Sequence, residues 1–98
     1  MALITAGSET LTVAGTAVGF ADIPAPTDRS VEECEVIVTD ADIVFQADGT
    51  TPTSSDGGLY RNGERFRIKG LTDIANFKAI RRTSTSAVLY ITYYKEEF

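Results

Sequence analysis

Few side chains in this 98-residue sequence are of the types that enzymes use for nucleophilic chemistry. The chain has no histidine, and its one cysteine, Cys34, alternates with Val36 and Val38 in a pattern typical of a strand. A nucleophilic serine or cysteine usually needs a neighbouring base, most often histidine. We therefore predict that Cys34 is a buried structural thiol and that the chain is not an enzyme.

Three aspartates, Asp40, Asp42 and Asp48, carry the oxygen ligands that calcium prefers. Their spacing matches no calcium-binding loop, and a turn alone explains Asp48 followed by Gly49. We expect no metal, although the sequence leaves a site at these aspartates open.

Glu32, Glu33 and Glu35 could act as paired carboxylates of the kind used in glycoside hydrolysis. A solvated strand face explains their alternation better. Gly57 and Gly58 lack the lysine and the following helix of a phosphate-binding loop. The sequence therefore predicts no catalytic residue and no cofactor.

Basic side chains are concentrated in the C-terminal half of the chain. They are either a solvated sheet face or an electrostatic docking patch for an acidic partner. Tyrosines from the last predicted strand, including Tyr90, would either extend that patch as interface anchors or belong to core and edge. The candidate docking residues are Arg65, Arg67, Lys69, Lys78, Arg81, Arg82, Tyr93 and Tyr94.

The length fits a single domain over residues 1–98, and 43% hydrophobic residues argue against disorder. A net charge of -5 argues against binding to nucleic acid, and the apolar runs are too short to span a membrane. The N-terminus lacks the pattern of a signal peptide, so we expect synthesis and folding in a cytoplasm. Residues 1–9 are weakly patterned and are a candidate N-terminal arm.

Strand patterns separated by turn signals recur every 8–12 residues, which is typical of a sandwich or barrel. We predict an all-β antiparallel β-sandwich, jelly-roll or immunoglobulin-like, with six to eight strands. Ser30 and Glu33 could instead form a capping box that starts one helical turn. The predicted strands outside the hairpin described next are Thr10–Val13, Ala17–Phe20, Glu33–Val38, Asp42–Gln46, Asn76–Arg82 and Ala87–Tyr94.

The sharpest local signal is Asn62-Gly63, because both residues tolerate the positive φ of a type I′ turn. It predicts a hairpin between Leu59–Arg61 and an arm running from Glu64 to Lys69. The apolar and aromatic run Ala87–Tyr94 predicts a central strand covered on both faces.

Several motifs follow one another in a recognisable order along the chain. An Ala-Ile-Arg strand leads through a Thr/Ser turn to a closing strand that contains Thr-Tyr-Tyr. The segments concerned are Gly7–Gly15, Ala41–Phe45 with Asp48–Thr53, Asn76–Arg81, Thr83–Ala87 and Val88–Tyr94. Their order resembles that in small structural proteins of tailed bacteriophages.

The resemblance implies a β-sandwich subunit of the virion, with a head decoration or cement protein as the leading interpretation. The expected partners are the major capsid protein or other virion proteins, together with further copies of the chain, most simply in a trimer. A tail, head-fibre or connector component is one alternative. A carbohydrate- or ligand-binding β-module is the other.

Overall fold

The computed structural model describes residues 2–24 and 31–96. These residues form seven strands and one short helix. The elements are β1 (Leu3–Val13), β2 (Val31–Thr39), β3 (Ile43–Gln46), β4 (Gly58–Tyr60), β5 (Arg65–Lys69), α1 (Leu71–Asn76), β6 (Lys78–Arg81) and β7 (Ala87–Glu96).

The strands form two antiparallel sheets, one in the order β1-β7-β2-β5 and the other in the order β4-β3-β6. The predicted all-β antiparallel sandwich is therefore confirmed. β7 lies inside the larger sheet, with β1 on one side from Leu3↔Glu96 to Val13↔Ala87 and β2 on the other. No helix in the described part of the chain is long and apolar enough to cross a membrane.

Strand alternation separates the core from the outer face of the larger sheet. Leu89, Ile91 and Tyr93 of β7 are fully or almost fully buried, whereas Tyr90 between them is 50% exposed. Successive side chains of a strand point to opposite faces, so Ala87, Leu89, Ile91 and Tyr93 fill the core. β7 is central, as predicted, but its second face is only partly covered, which corrects that part of the prediction.

A series of aromatic rings crosses the core between the sheets. Phe20 stacks on Phe77 with ring centroids 4.7 Å apart, and Phe77 lies 5.8 Å from Phe45. Phe45 stacks on Tyr60 at 4.8 Å, and Tyr60 on Phe66 at 3.8 Å. Since Tyr60 belongs to one sheet and Phe66 to the other, this last stack joins the sheets at the β4–β5 side.

The predicted hairpin at Asn62-Gly63 is wrong, because its two arms belong to different sheets. β4 pairs with β3, and β5 pairs with β2. Glu64 N does donate to Arg61 O at 3.0 Å, so a turn exists. Gly63 has a φ of 91°, but Asn62 does not have positive φ, which excludes type I′. Asn62-Gly63 indicates a turn in the backbone, but it does not determine the strands with which the flanking segments pair.

The candidate arm over residues 1–9 is also corrected. Leu3 to Glu9 form most of β1 and are paired with β7, and Met1 lies outside the described residues. Removal of this segment would take away more than half of an edge strand, so it is part of the fold and not a separate arm.

One smaller prediction differs from the structure: Ala17–Phe20 contributes one bridge, Val18 with Ala79, in place of a strand. The strand predicted over Glu33–Val38 is present as part of β2, so the alternative of a helical turn at Glu33 is excluded. Ser30, the candidate cap of that turn, lies outside the described residues.

We predict that Gly63→Val lowers the free energy of unfolding by about 1–3 kcal/mol, the cost of a strained backbone position. No heavy atom lies within 4 Å of the place where a Cβ would sit, so the cost comes from the φ of 91° and not from a clash. Gly63→Asn is the matched control, because asparagine tolerates positive φ. Urea unfolding measures both variants, and equal midpoints for the valine and asparagine variants would contradict this account.

Candidate docking surface

The structure separates the predicted basic patch into two parts. Arg65, Arg67 and Lys69 lie on β5, at the edge of the four-stranded sheet. Lys78 and Arg81 lie on β6, at an edge of the other sheet, with Arg82 just beyond it. Arg81 N donates to Ala14 O at 3.1 Å, which places this end of β6 beside the end of β1, the edge opposite to β5. The cations therefore do not form one continuous surface.

Arg67 is already engaged by carboxylates of its own sheet. Its guanidinium donates to Glu33, lies 3.6 Å from Glu35, and sits 5.2 Å from the centroid of the Tyr94 ring. The hydrogen bond to Glu33, with the charges of both glutamates, raises the pKa of Arg67. This arrangement places Tyr94 and Arg67 together, but it leaves little of that positive charge for an acidic partner.

Arg82 is similarly engaged, whereas Arg81 is not. Arg82 lies 3.7 Å from Asp42, whose other carboxylate oxygen accepts from Asn62 N at 2.8 Å. Within the described ranges, no carboxylate forms an ion pair with Arg81. Together with Ser54 and Ser84, these arginines line a shallow polar depression at one end of the sandwich.

Tyr93 is not a surface anchor, because its side chain is fully buried. Its hydroxyl donates to Glu9, and the same carboxylate accepts from Ala21 N at 3.2 Å and Asp22 N at 3.1 Å. Burial, followed by the hydrogen bond to Glu9, raises the pKa of Tyr93. Glu9 was not among the predicted site residues, although its alternation with Leu11 and Val13 indicates an inward position.

A further candidate surface is the outer face of the four-stranded sheet. Tyr90 lies near its middle, with Thr10 beside it on β1, Ile37 on β2, and Arg65 beyond Ile37 on β5. The neighbouring rows add hydroxyl, aliphatic and charged side chains. We define the outer face by Ser8, Thr10, Thr12, Ile37, Thr39, Val88, Tyr90, Thr92 and Tyr94, with Glu33, Glu35, Arg65, Arg67 and Lys69 toward the β5 side.

The outer face has the composition expected of a protein-binding surface. Tyr90 is 50% exposed, and Val88, Ile37 and Tyr94 are half-buried around it. Tyrosine supplies a large contact area with few rotatable bonds, and it is enriched among residues that dominate binding energy. Tyr90 and Tyr94 were both candidate anchors from the sequence, and the pairing of β7 is what directs them outward and Tyr93 inward.

A second concavity opens between the two sheets at the β4–β5 side. Partly exposed rings of Phe45, Tyr60 and Phe66 form its apolar floor, and Lys69 and Asp73 lie at its rim. Apolar floors with a few polar groups are typical of small-ligand sites.

The three aspartates considered for calcium serve local structure. Asp42 forms the contacts described above, Asp40 has a φ of 73°, and Asp48 accepts from Thr50 N at 3.0 Å. The bonds from Thr50 lower the pKa of Asp48. Among the described residues, no three acidic or cysteine side chains meet in a way that could hold a metal ion.

Comparisons with models of known protein families, with curated proteins and with solved structures find no match. Functional inference therefore depends on the sequence patterns and on the geometry of this chain.

Cys34 is fully buried on β2, which agrees with its prediction as a structural thiol. Burial raises the pKa of Cys34 from its ordinary 9.0 to about 12. The thiolate is the reactive form of cysteine, so this thiol is unreactive in the folded protein at neutral pH.

We predict that stability falls as the pH rises above 9, because the unfolded chain releases the Cys34 proton there while the folded chain retains it until about pH 12. The free energy of unfolding should fall with a slope that approaches about 1.4 kcal/mol per pH unit. Urea unfolding of wild type and Cys34→Ala from pH 8 to 10 tests this.

The alanine variant should be less stable at pH 8 but show a flatter profile between pH 9 and 10. The pKa of Tyr93 is also raised from its ordinary 10.0. Tyr93 therefore lowers the stability of both proteins further above pH 10. Parallel profiles of the two proteins would contradict the assignment to Cys34.

Proposed function

We propose that this protein is a structural subunit of a tailed-phage virion that binds the outside of the head as a decoration or cement protein. The order of its sequence motifs supports a virion role. The observation that carries the docking mode is the outer face, on which Tyr90 is half-exposed within a hydroxyl-rich sheet surface. The partner proposed is the major capsid protein.

A sheet face suits the proposed role because a shell offers a broad, repeated surface. The outer face lies on four hydrogen-bonded strands, so it loses little backbone freedom when it binds. At its β5 side, Arg65 stands across from Ile37 and offers a cation beside the apolar patch. Apolar contact at Tyr90 with charge at the rim is the usual arrangement of a binding surface.

Location within the virion is a separate step of the proposal. A tail, head-fibre or connector position would use the same outer face on a different partner. Fractionation of the parent virion into heads and tails, followed by mass spectrometry, distinguishes these positions. Recovery with tails alone would replace the head assignment.

The second candidate function is a ligand-binding module, and one observation favours it: the concavity with rings of Phe45, Tyr60 and Phe66 at its floor. Lys69 and Asp73 at the rim would orient a small polar group. Binding of mono- or oligosaccharides, detected by NMR shifts confined to these residues, would favour this candidate over the virion role.

We predict that purified parent virions contain the protein and that added protein binds heads from which it has been removed. Tyr90→Ser should raise the Kd for heads about 10- to 100-fold, the usual effect of removing a dominant anchor. Leu59→Ser is the matched control, because Leu59 is 39% exposed but lies on β4 in the other sheet.

Unchanged melting midpoints would establish that both variants fold. Equal Kd values for wild type and Tyr90→Ser would remove the outer face from the proposal. Virions that lack the protein would remove the virion role.

A further inference from the structure

β1 is a long strand with one free edge. It has 11 residues and lies at the end of the order β1-β7-β2-β5. Across the described part of the chain, its backbone hydrogen bonds join it to β7 and to no other element. An exposed edge of this length is a template for pairing with another strand.

The other three sheet edges are protected by the devices that proteins use against such pairing. β5 carries Arg65, Arg67 and Lys69 within five residues. β4 has only three residues, and β6 has four. β6 is also covered at Ala79, which exchanges two 2.9 Å backbone hydrogen bonds with Val18. β1 alone among the described edges is both long and free of basic residues and proline.

The only charge on β1 does not protect its edge. Glu9 lies in register with the buried Ile91, and its carboxylate binds Tyr93 and the amides of Ala21 and Asp22 beneath the sheet. A Cβ on Gly7 would lie 2.9 Å from Pro24 Cγ, so this segment also passes under the inward side of β1. The contacts of its described residues are with the inner face of β1, and none of them is a backbone hydrogen bond to the edge of the strand.

We propose that β1 pairs antiparallel with β1 of a second copy of this chain, about a two-fold axis at Thr10. A register shift between Thr5 and Gly7 leaves the regular stretch Gly7–Val13, whose middle residue is Thr10. Centred there, the pairing places Thr10 opposite its own copy and Ser8 opposite Thr12 on the outer face. Hydroxyl side chains meet across the strands, and such pairs stabilise antiparallel sheets.

A second copy fits this edge better than a charged strand from another protein. Outward positions of the regular stretch carry only Ser8, Thr10 and Thr12, so self-pairing brings no like charges together. A charged partner strand would find no opposite charge on β1, because Glu9 is occupied beneath the sheet. An identical strand also matches the seven-residue length.

The pairing would join two four-stranded sheets into one of eight strands, with both outer faces on the same side. Two copies of Tyr90 would then face a shell together, which raises overall affinity when both engage. A two-fold pair replaces the trimer expected from sequence. This inference does not depend on the virion role, since it rests on the edge of β1 alone.

The first test is the mass of the protein in solution by light scattering across concentration. Wild type should reach twice the 10.6 kDa of one chain. Thr10→Lys should raise the dimer Kd about tenfold or more, because two ammonium groups face each other across the axis. Thr10→Glu should do the same, and an equimolar mixture of the two variants should recover the dimer. Thr10→Ser is the control and should remain dimeric.

The second test is a disulfide between copies. Paired residues of antiparallel strands have Cα atoms about 4.5–5.5 Å apart, within the range that a disulfide spans. Thr10→Cys should therefore form a covalent dimer on mild oxidation, while wild type should not, because Cys34 is buried. Thr85→Cys, in the exposed turn before β7, is the control that should stay monomeric on denaturing gels.

Several results would overturn the proposal. They are a wild-type monomer at high concentration, a trimer, a dimer that Thr10→Lys leaves intact, or equal crosslinking of the two cysteine variants. A monomer that nevertheless binds heads would leave the virion role standing and reject only the self-pairing. A dimer that does not bind heads would support the self-pairing and reject the head-binding role.

Discussion

The fold depends on β7 being paired on both sides while one of its faces fills the core. Leu89, Ile91 and Tyr93 bury their side chains between the sheets, and the backbone between them bonds to β1 and β2. This single strand therefore supports both the hydrophobic core and the larger sheet. The side chains that alternate with the core residues necessarily face outward, which is why Tyr90 is available on the outer face.

One partly buried polar contact connects the core with the edge of the sheet. Glu9 turns inward from β1 to meet the hydroxyl of Tyr93 and two backbone amides of the segment that follows. The Glu9 carboxylate is partly withdrawn from water, and three donors compensate it. Because this charge is used beneath the sheet, the edge of β1 carries none, and the edge thus becomes suitable for pairing with an uncharged strand.

The sequence predicted the features that depend on alternation. The all-β class and the strands containing Val36, Phe45, Ile68 and Leu89 follow from a two-residue period that each segment carries within itself. The buried Cys34 followed from the same period. The errors concern relations between distant segments. Asn62-Gly63 indicates a turn, but the stacking of Tyr60 on Phe66 between sheets depends on the whole core.

The candidate site was predictable only in part, for the same reason. Basic residues close together in sequence suggested one patch, but β5 and β6 belong to different sheets. Arg67 is neutralised by Glu33 and Glu35 across the strand, a register that sequence cannot supply. Tyr93 and Tyr94 are adjacent yet face opposite sides, and only the pairing of β7 decides which one is buried.

A cryo-electron microscopy reconstruction of the parent virion head tests the central claim most directly, namely that this sandwich binds a capsid through the outer face of its larger sheet. The account predicts density for the sandwich on the outside of the shell, with Tyr90 at the contact. Density that places the smaller sheet against the shell, or a head whose outer surface lacks this chain, would contradict it.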